Sequence, residues 1–303
     1  MAKTLRELFV DRARQLDAFQ KMLAGQTPRR IMVLTAGPGM GKSWLIRTYA
    51  QAARDRGLPV AQFDFADARS YDALTLASRS RDQFGGAHFT RLDAAIAEAT
   101  VARVNLNLEG LPSERVDVNL NGATIGGPVT VNQGAVNVSD NTIVFQTNDP
   151  LIRRAAEDRI NQAFFACLAE LSVTTRMVFL FDTYDRLIDD EGDWASSPTN
   201  RWIIDELLTR MRDGQLPNVI AVIAGRSAPK FGIEWNDVLG RIQLEPLTCD
   251  DITIYLRERR GLSIITDAEI ERLCQAVAGN PSVLGIIGDN LEQANHAVKD
   301  DDW

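Results

Sequence analysis

The chemistry in this sequence is concentrated in eight residues, Ala36-Gly37-Pro38-Gly39-Met40-Gly41-Lys42-Ser43. Glycines at 37, 39 and 41 let a backbone curl until successive N–H groups converge, and convergent N–H groups at the start of a helix bind phosphate oxygens. The closing Gly-Lys-Ser adds an ammonium for β and γ phosphates and a hydroxyl for Mg2+. The run matches a P-loop with Ala36 in place of the first glycine. It makes Gly37, Pro38, Gly39, Met40, Gly41, Lys42 and Ser43 the expected nucleotide contacts, with Ser43 also on the metal. Lys42 is the only lysine between Lys21 and Lys230.

Such a loop needs a carboxylate at the end of a neighbouring strand to hold the cation. Val178 to Phe181 is an apolar run leading directly into Asp182, the form of a Walker B strand, which assigns Asp182 to Mg2+. Asp185, three residues on, is a candidate to accept a proton from an attacking water; the alternative is a helix-cap carboxylate. Thr183 stands where many P-loop hydrolases carry glutamate, so fast hydrolysis is not expected. The apolar stretch Asn218 to Ala224 ends in Gly225-Arg226-Ser227. An arginine at the carboxyl edge of an open sheet is placed to touch a γ-phosphate and report its loss, so Arg226 joins Asp185 as a candidate catalytic residue. The plain alternative is a solvated surface arginine. Arg210 and Arg212 are candidate fingers toward a neighbouring subunit.

The elements that would position these residues follow from hydrophobic periodicity. Leu5 to Leu23 has helical spacing, Arg29 to Thr35 reads as a buried strand, Trp44 to Arg56 as a helix, and Pro59 to Phe65 as a second strand. This βαβ opening predicts a parallel sheet with a right-handed crossover. Helical stretches follow at Ala73 to Phe84 and Leu92 to Val101. After Pro150 come helix Leu151 to Leu171, strand Met177 to Asp182, helix Thr199 to Asp213 and strand Asn218 to Gly225. Beyond Leu244 no strand is evident, and three helical segments remain, near Asp250 to Arg259, Asp267 to Ala278 and Ser282 to Ala294.

Between Val104 and Asn148 asparagine and glycine multiply, and short alternating runs appear at VNLNL, VDVNL, VTV, VNV and IVF. They predict short strands parted by turns at Asn121-Gly122, Gly126-Gly127 and Asp140-Asn141; a disordered linker is the alternative. The expected fold class is α/β, a P-loop three-layer parallel sheet with a β-rich insertion and a C-terminal helical lid. The nucleotide-binding domain would take residues 1–103 and 149–243, the insertion 104–148 and the lid 244–303.

Composition narrows the function classes. A chain of 303 residues with 45% hydrophobic and 24% charged residues is long enough for a large core without metal or disulfide staples. Its net charge of −8 does not predispose it to nucleic acid or anionic lipid. The segment 104–148 has one arginine, Arg115, no lysine and one aromatic, Phe145, a poor platform for stacked bases. No apolar run reaches the roughly 20 residues of a membrane span, and the N-terminal residues do not form a signal peptide. The expected compartment is the cytoplasm. Cys167, Cys249 and Cys274 are scattered with no CxxC pair, and the simplest expectation is three buried thiols.

Taken together, the motifs resemble those of STAND-type P-loop NTPases, the signal-transducing branch near the AAA+ ATPases, over residues 8 to about 295 outside the insertion. Phe9-Val10-Asp11-Arg12 with Leu16 resembles that family's N-terminal Phe-Val-Gly-Arg-x-x-Glu-Leu segment, with Asp11 and Gln15 departing from it. The resemblance implies that Arg12 contacts nucleotide. Gly279-Asn280-Pro281 resembles the family's Gly-x-Pro motif and implies that Pro281 packs near adenine; a helix stop followed by a helix start is the alternative. No arginine follows Pro281 closely, so an AAA+ second sensor is not evident. The chain lacks Asn-Lys-x-Asp for guanine and the ABC signature Leu-Ser-Gly-Gly-Gln.

The function these residues predict is an ATP-binding regulatory switch using ATP/ADP and Mg2+, with slow or partner-dependent hydrolysis. Its implied setting is bacterial signalling or conflict, with a homo-oligomer or a separate effector or sensor protein as partner. An active AAA+ motor or loader on DNA or protein, and a nucleotide-stabilised scaffold without turnover, are the competing expectations. The helical lid is followed by no winged helix or repeat array, so such parts would sit on partner chains unless this is an excised core.

Overall fold

A computed structural model describes residues 12–66, 71–108, 118–120, 123–125, 149–188, 193–194, 196–262 and 265–300. In chain order the elements are α1 (Ala13–Ala24), β1 (Ile31–Thr35), α2 (Lys42–Arg54), β2 (Val60–Asp64), α3 (Ala73–Phe84), α4 (Thr90–Leu108), β3 (Val118–Leu120), β4 (Ala123–Ile125) and α5 (Pro150–Thr174). Next come β5 (Met177–Asp182), α6 (Pro198–Arg201), a π-helical stretch Trp202–Leu208, α7 (Thr209–Arg212), β6 (Val219–Gly225) and β7 (Leu239–Gln243). The last part holds α8 (Cys249–Ile254), a second π-helical stretch Tyr255–Arg259, α9 (Asp267–Val277) and α10 (Pro281–Asp300). The chain divides into two compact units, Met1–Tyr71 with Leu171–Trp303, and Asp72–Glu170.

The first unit is built on a five-stranded sheet in the order β2-β5-β6-β1-β7, with every pair parallel. Every residue of β5 and β6 is buried, as a parallel strand covered on both faces requires. One face, including Met32, Leu34, Val178, Leu180 and Val222, packs with Phe19 of α1 and Leu45, Ile46 and Tyr49 of α2. Phe19 and Tyr49 stack with ring centroids 4.1 Å apart, and the Tyr49 hydroxyl donates to the Gln15 carbonyl at 3.0 Å. Burying each such side chain stabilises the unit by about 1.5–3 kcal/mol. β7 was not legible from periodicity: it is an edge strand in which only Leu239 is buried, and Gly240, Arg241 and Gln243 hide the pattern.

Residues 244–300, the segment expected as a lid, carry the helices α8, α9 and α10 and belong to this same unit. Leu247, Ile252, Tyr255, Leu256, Leu262, Val277 and Leu284 are the core of this segment. Two capping boxes, Thr248 with Asp251 and Thr266 with Glu269, start α8 and α9. The cysteine expectation needs correction here: Cys249 and Cys274 form a disulfide between α8 and α9, with Cα atoms 5.5 Å apart. Two residues 25 positions apart in sequence meet because the two helices pack together, which spacing alone does not reveal. Cys167 is a buried thiol as expected.

In the second unit, the Asp72 carboxylate caps α3 by accepting the Thr75 N–H at 2.7 Å, and Phe89 stacks on Phe164 at 5.7 Å. α4 continues through Leu108, so Val104 to Leu108 is helical where its alternation predicted a strand. Once a helix exists, each added residue gains a hydrogen bond, and this outweighs a weak local β pattern. β3 and β4 pair antiparallel with Val118 opposite Ile125, within the segment expected to be β-rich. The VTV, VNV and IVF runs and the three expected turns lie outside the described residues.

Candidate nucleotide site

The carboxyl ends of β1, β5, β6 and β2 bring the candidate residues together. Between β1 and α2 the loop turns on two glycines in left-handed conformations, Gly39 (φ 73°) and Gly41 (φ 83°), which residues with a Cβ adopt only at a cost. Gly37 is different: its φ is not positive, and a Cβ there would meet only the Met40 Cγ, at 3.8 Å. α2 begins at Lys42 with no side-chain cap and no acidic residue in its first turn. No side chain therefore caps its N-terminus or competes with an anion for the positive end of its dipole.

Lys42 Nζ donates to the carbonyls of Ala36 and Gly37, both at 2.8 Å, so the ammonium is held inside the loop. Burial lowers its pKa, Asp185 and Asp182 pull it back up, and Arg226 lowers it further. Asp182 is 4% exposed. Burial raises its pKa above the ordinary carboxylate value, opposed by hydrogen bonds from Ser43 and from the Thr183 N–H, the latter at 2.8 Å; the neighbouring Asp64 charge adds to the rise. Ser43 and Asp182 thus meet as a hydroxyl and a carboxylate, the hard oxygen pair suited to Mg2+. Among the described residues no three His, Cys, Asp or Glu side chains cluster to hold a metal by themselves. A cation on this pair would take its remaining ligands from phosphate and water, the habit of Mg2+ in phosphate sites.

Asp185 and Arg226 face each other. The Arg226 N–H donates to Asp185 Oδ1 at 2.8 Å, and Arg226 Nε lies 3.7 Å from Asp185 Oδ2. Both oxygens of the expected base are turned to the expected sensor arginine. Arg210 and Arg212, by contrast, are engaged within the chain: Arg210 pairs with Glu206, and Arg212 pairs with Asp213 and lies over the Trp235 ring at 4.9 Å. Sequence reasoning missed Asp64. It ends β2 in register with Asp182, and its Oδ1 accepts the Thr183 hydroxyl at 2.7 Å. The signal was the strand end Gln62-Phe63-Asp64, but only the strand order places β2 beside β5.

The lid reaches the loop directly. Gly279 adopts a left-handed conformation and its carbonyl accepts the Leu247 N–H at 2.8 Å, which presents Asn280 and Pro281 to the P-loop. Asn280 Oδ1 accepts the N–H groups of Ser282 (3.0 Å) and Val283 (3.4 Å), capping α10, and Pro281 occupies the first helical position. The Gly39 carbonyl accepts both the Ser282 N–H at 3.2 Å and the Ser282 hydroxyl at 3.0 Å.

Beside this contact is a cavity of about 370 Å3, lined by Met40, Gly41 and Trp44 from the loop side and by Leu247, Tyr255, Pro281 and Ile286 from the lid. Arg12, only 5% exposed, also lines it, and its Nη2 donates to the Glu245 carbonyl at 3.1 Å. Arg260, carried back over the Tyr255 ring by the π-helical turn, pairs there with Asp289 at 2.7 Å and Glu292 at 2.9 Å. An apolar slot with a few fixed charges, adjoining a phosphate loop, has the composition of a nucleoside pocket. A larger groove of about 840 Å3 between α1 and α2 is lined by no P-loop residue and holds none of this chemistry.

No protein-family model matches the chain, and no curated protein does either. Among solved structures it is similar to a STAND (Signal Transduction ATPase with Numerous Domains) protein with a tetratricopeptide repeat sensor from Pyrococcus horikoshii, at 12% identity and a TM-score of 0.40. That match covers 92% of this chain and 30% of the other. It is also similar to the ORC1 protein of Aeropyrum pernix, solved in complex with DNA, at 13% identity and a TM-score of 0.45, covering 96% of this chain and 60% of that one. The chain therefore spans less than two thirds of either neighbour. No helix of the described residues is long and apolar enough to cross a membrane.

Proposed function

We propose that the chain is an ATP-binding switch that hydrolyses its nucleotide slowly or only when a partner completes the site. Phosphates would lie on the Gly37–Ser43 loop with Lys42 at the β and γ positions, and the nucleoside in the cavity beneath Pro281. Ser43 and Asp182 would hold Mg2+, which when bound neutralises phosphate charge. Asp185 would fix Arg226 at the γ-phosphate. The observation that carries a switch is the pair of hydrogen bonds from Ser282 to the Gly39 carbonyl: the phosphate loop and the lid helix share a bonded contact. A nucleotide that repositions this loop would have differential affinity for two lid positions, which is what moving an equilibrium requires.

Thr183 in the glutamate position supports slow turnover, and the in-chain pairing of Arg210 and Arg212 argues against the trans fingers a ring motor would use. The partner would be a second copy or a separate effector or sensor. A single-turnover comparison of bound ATP and released ADP over hours tests this: bound ATP lost slowly supports the switch. Motor-like turnover by the isolated chain refutes it, as does no turnover with or without candidate partners.

A further inference from the structure

The Cys249–Cys274 disulfide joins two stretches of chain that both lead to the candidate nucleotide site. Cys249 opens α8 just after Leu247, and Cys274 lies in the last turn of α9, just ahead of Gly279. Beside the disulfide the same two stretches meet again, where the Leu247 N–H donates to the Gly279 carbonyl at 2.8 Å. Gly279 is pressed against the first stretch: at φ 69° it has no room for a Cβ, which would lie 2.6 Å from both the Leu247 carbonyl oxygen and Pro246 Cβ. From this junction the first stretch runs back to Glu245, whose carbonyl accepts from Arg12, and the second runs on to Ser282, whose hydroxyl donates to Gly39. Each stretch also lines the cavity of about 370 Å3, Leu247 and Tyr255 from the first, Pro281 and Leu284 from the second.

We propose that this disulfide is a redox device that sets nucleotide affinity: closed, it holds the two stretches that line the nucleoside cavity in place, and opened by a dithiol reductant it lets them part. This rests on the nucleotide reading above. Cys249 is exposed and Cys274 half-buried, so a reductant can reach the bond, whereas the third cysteine, Cys167, is a buried thiol outside it. Exposed disulfides are the labile, regulatory kind. In the opening step a thiolate of the reductant bonds to the Cys249 sulfur as the S–S bond breaks, and Cys274 leaves as a thiolate with that electron pair. The reductant's second thiol then attacks the mixed disulfide. The reductant departs oxidised, as a disulfide, and the two cysteines have together gained two electrons and two protons. Ile252, Leu256, Leu262 and Val277 still pack as the core of the segment, so opening the bond leaves the helices folded. What holds the junction is then the Leu247–Gly279 hydrogen bond and the packing of Gly279 alone. The lining stretches gain freedom that a bound nucleotide must remove, and preorganisation lost is affinity lost.

The experiment uses the full chain, oxidised with glutathione disulfide or reduced with dithiothreitol, beside Cys249→Ser and Cys274→Ser. Alkylation and mass measurement report the state of the bond, circular dichroism follows folding, and calorimetry gives ATP affinity. The oxidised wild type should bind ATP at least about fivefold more tightly than the reduced one, the lower end of coupling between linked sites, and reoxidation should restore the tighter binding. Both variants should match the reduced wild type within about twofold and ignore dithiothreitol. Equal affinities in the two redox states, a variant that keeps the oxidised affinity, a bond that dithiothreitol opens only after unfolding, or no Cys249–Cys274 bond after oxidation would each overturn the proposal. So would a reduced chain that loses its helical signal, since the bond would then hold the fold and not regulate it. If ATP binds in neither redox state and to neither variant, the nucleotide reading itself fails and its regulation falls with it.

Discussion

Two glycines of the phosphate loop should respond unequally to the same substitution. Gly39→Ala forces a Cβ into a left-handed conformation at φ 73°, which costs about 1–2 kcal/mol. The new Cβ would also lie 2.7 Å from Asn280 Oδ1 and 2.8 Å from its Nδ2. The Asn280 side chain can swing away, but it then gives up the Ser282 and Val283 N–H groups it caps, a loss of about 1 kcal/mol. The sum is about 2–3 kcal/mol, with a weakened lid contact and reduced ATP affinity. Gly37→Ala meets neither obstacle, since its nearest neighbour would be Met40 Cγ at 3.8 Å, so its stability should stay within about 0.5 kcal/mol of wild type. Urea denaturation followed by far-UV circular dichroism measures both, comparing midpoints at a common slope. Equal loss in the two variants would refute the assignment of backbone conformation and lid contact to Gly39 alone.

Four further outcomes are expected. Lys42→Ala should weaken ATP binding by at least roughly tenfold, about 1.4 kcal/mol, and unchanged affinity by calorimetry would sink the P-loop assignment. Asp182→Asn should remove the Mg2+ dependence of binding without lowering the stability of the nucleotide-free chain. Because burial raises the Asp182 pKa, the protonated form favours folding: that contribution is fully present below the ordinary carboxylate range and lost as pH rises through the raised value, so the variant's stability curve should lack this slope. Cys249→Ser should destabilise the lid by about 3 kcal/mol through the loop closed between positions 25 apart, read as a lowered thermal midpoint that reductant reproduces in the wild type but not in the variant. Replacing residues 104–148 with a short Gly/Ser linker should leave ATP affinity intact while changing assembly size by light scattering, the outcome expected of a docking projection.

The sequence displays whatever is local. The P-loop, the run into Asp182 and the strand before Arg226 were legible because each joins a one-dimensional hydrophobic pattern to a chemically distinctive residue at its end. The disulfide, Asp64 and the cavity were not, because each depends on which elements become neighbours. Asp64 matters only once β2 lies beside β5, and Cys249 meets Cys274 only once α8 and α9 pack. The same logic explains β7: at the sheet edge only Leu239 of its five residues is buried, and with Arg241 and Gln243 exposed it lacks the apolar run that betrays a central strand. Val104 to Leu108 erred in the other direction, a local alternation overruled by the helix already running into it.

On the switch proposed above, Lys42 and Gly39 would carry the terms of a two-state device. The Lys42 ammonium is bonded to two loop carbonyls, so a phosphate that claims it must replace both bonds before adding any net attraction. The Gly39 carbonyl is bonded twice to Ser282 of the lid, so rotating that peptide to present its neighbours to phosphate disturbs the start of α10. On that proposal, nucleotide binding would be coupled to lid position by bonds that cannot all be kept at once. Such a coupling would be reciprocal: whatever held the lid in its nucleotide-bound position would raise ATP affinity by the same factor by which ATP favoured that position. A partner seated on the lid would therefore act on the nucleotide without touching it.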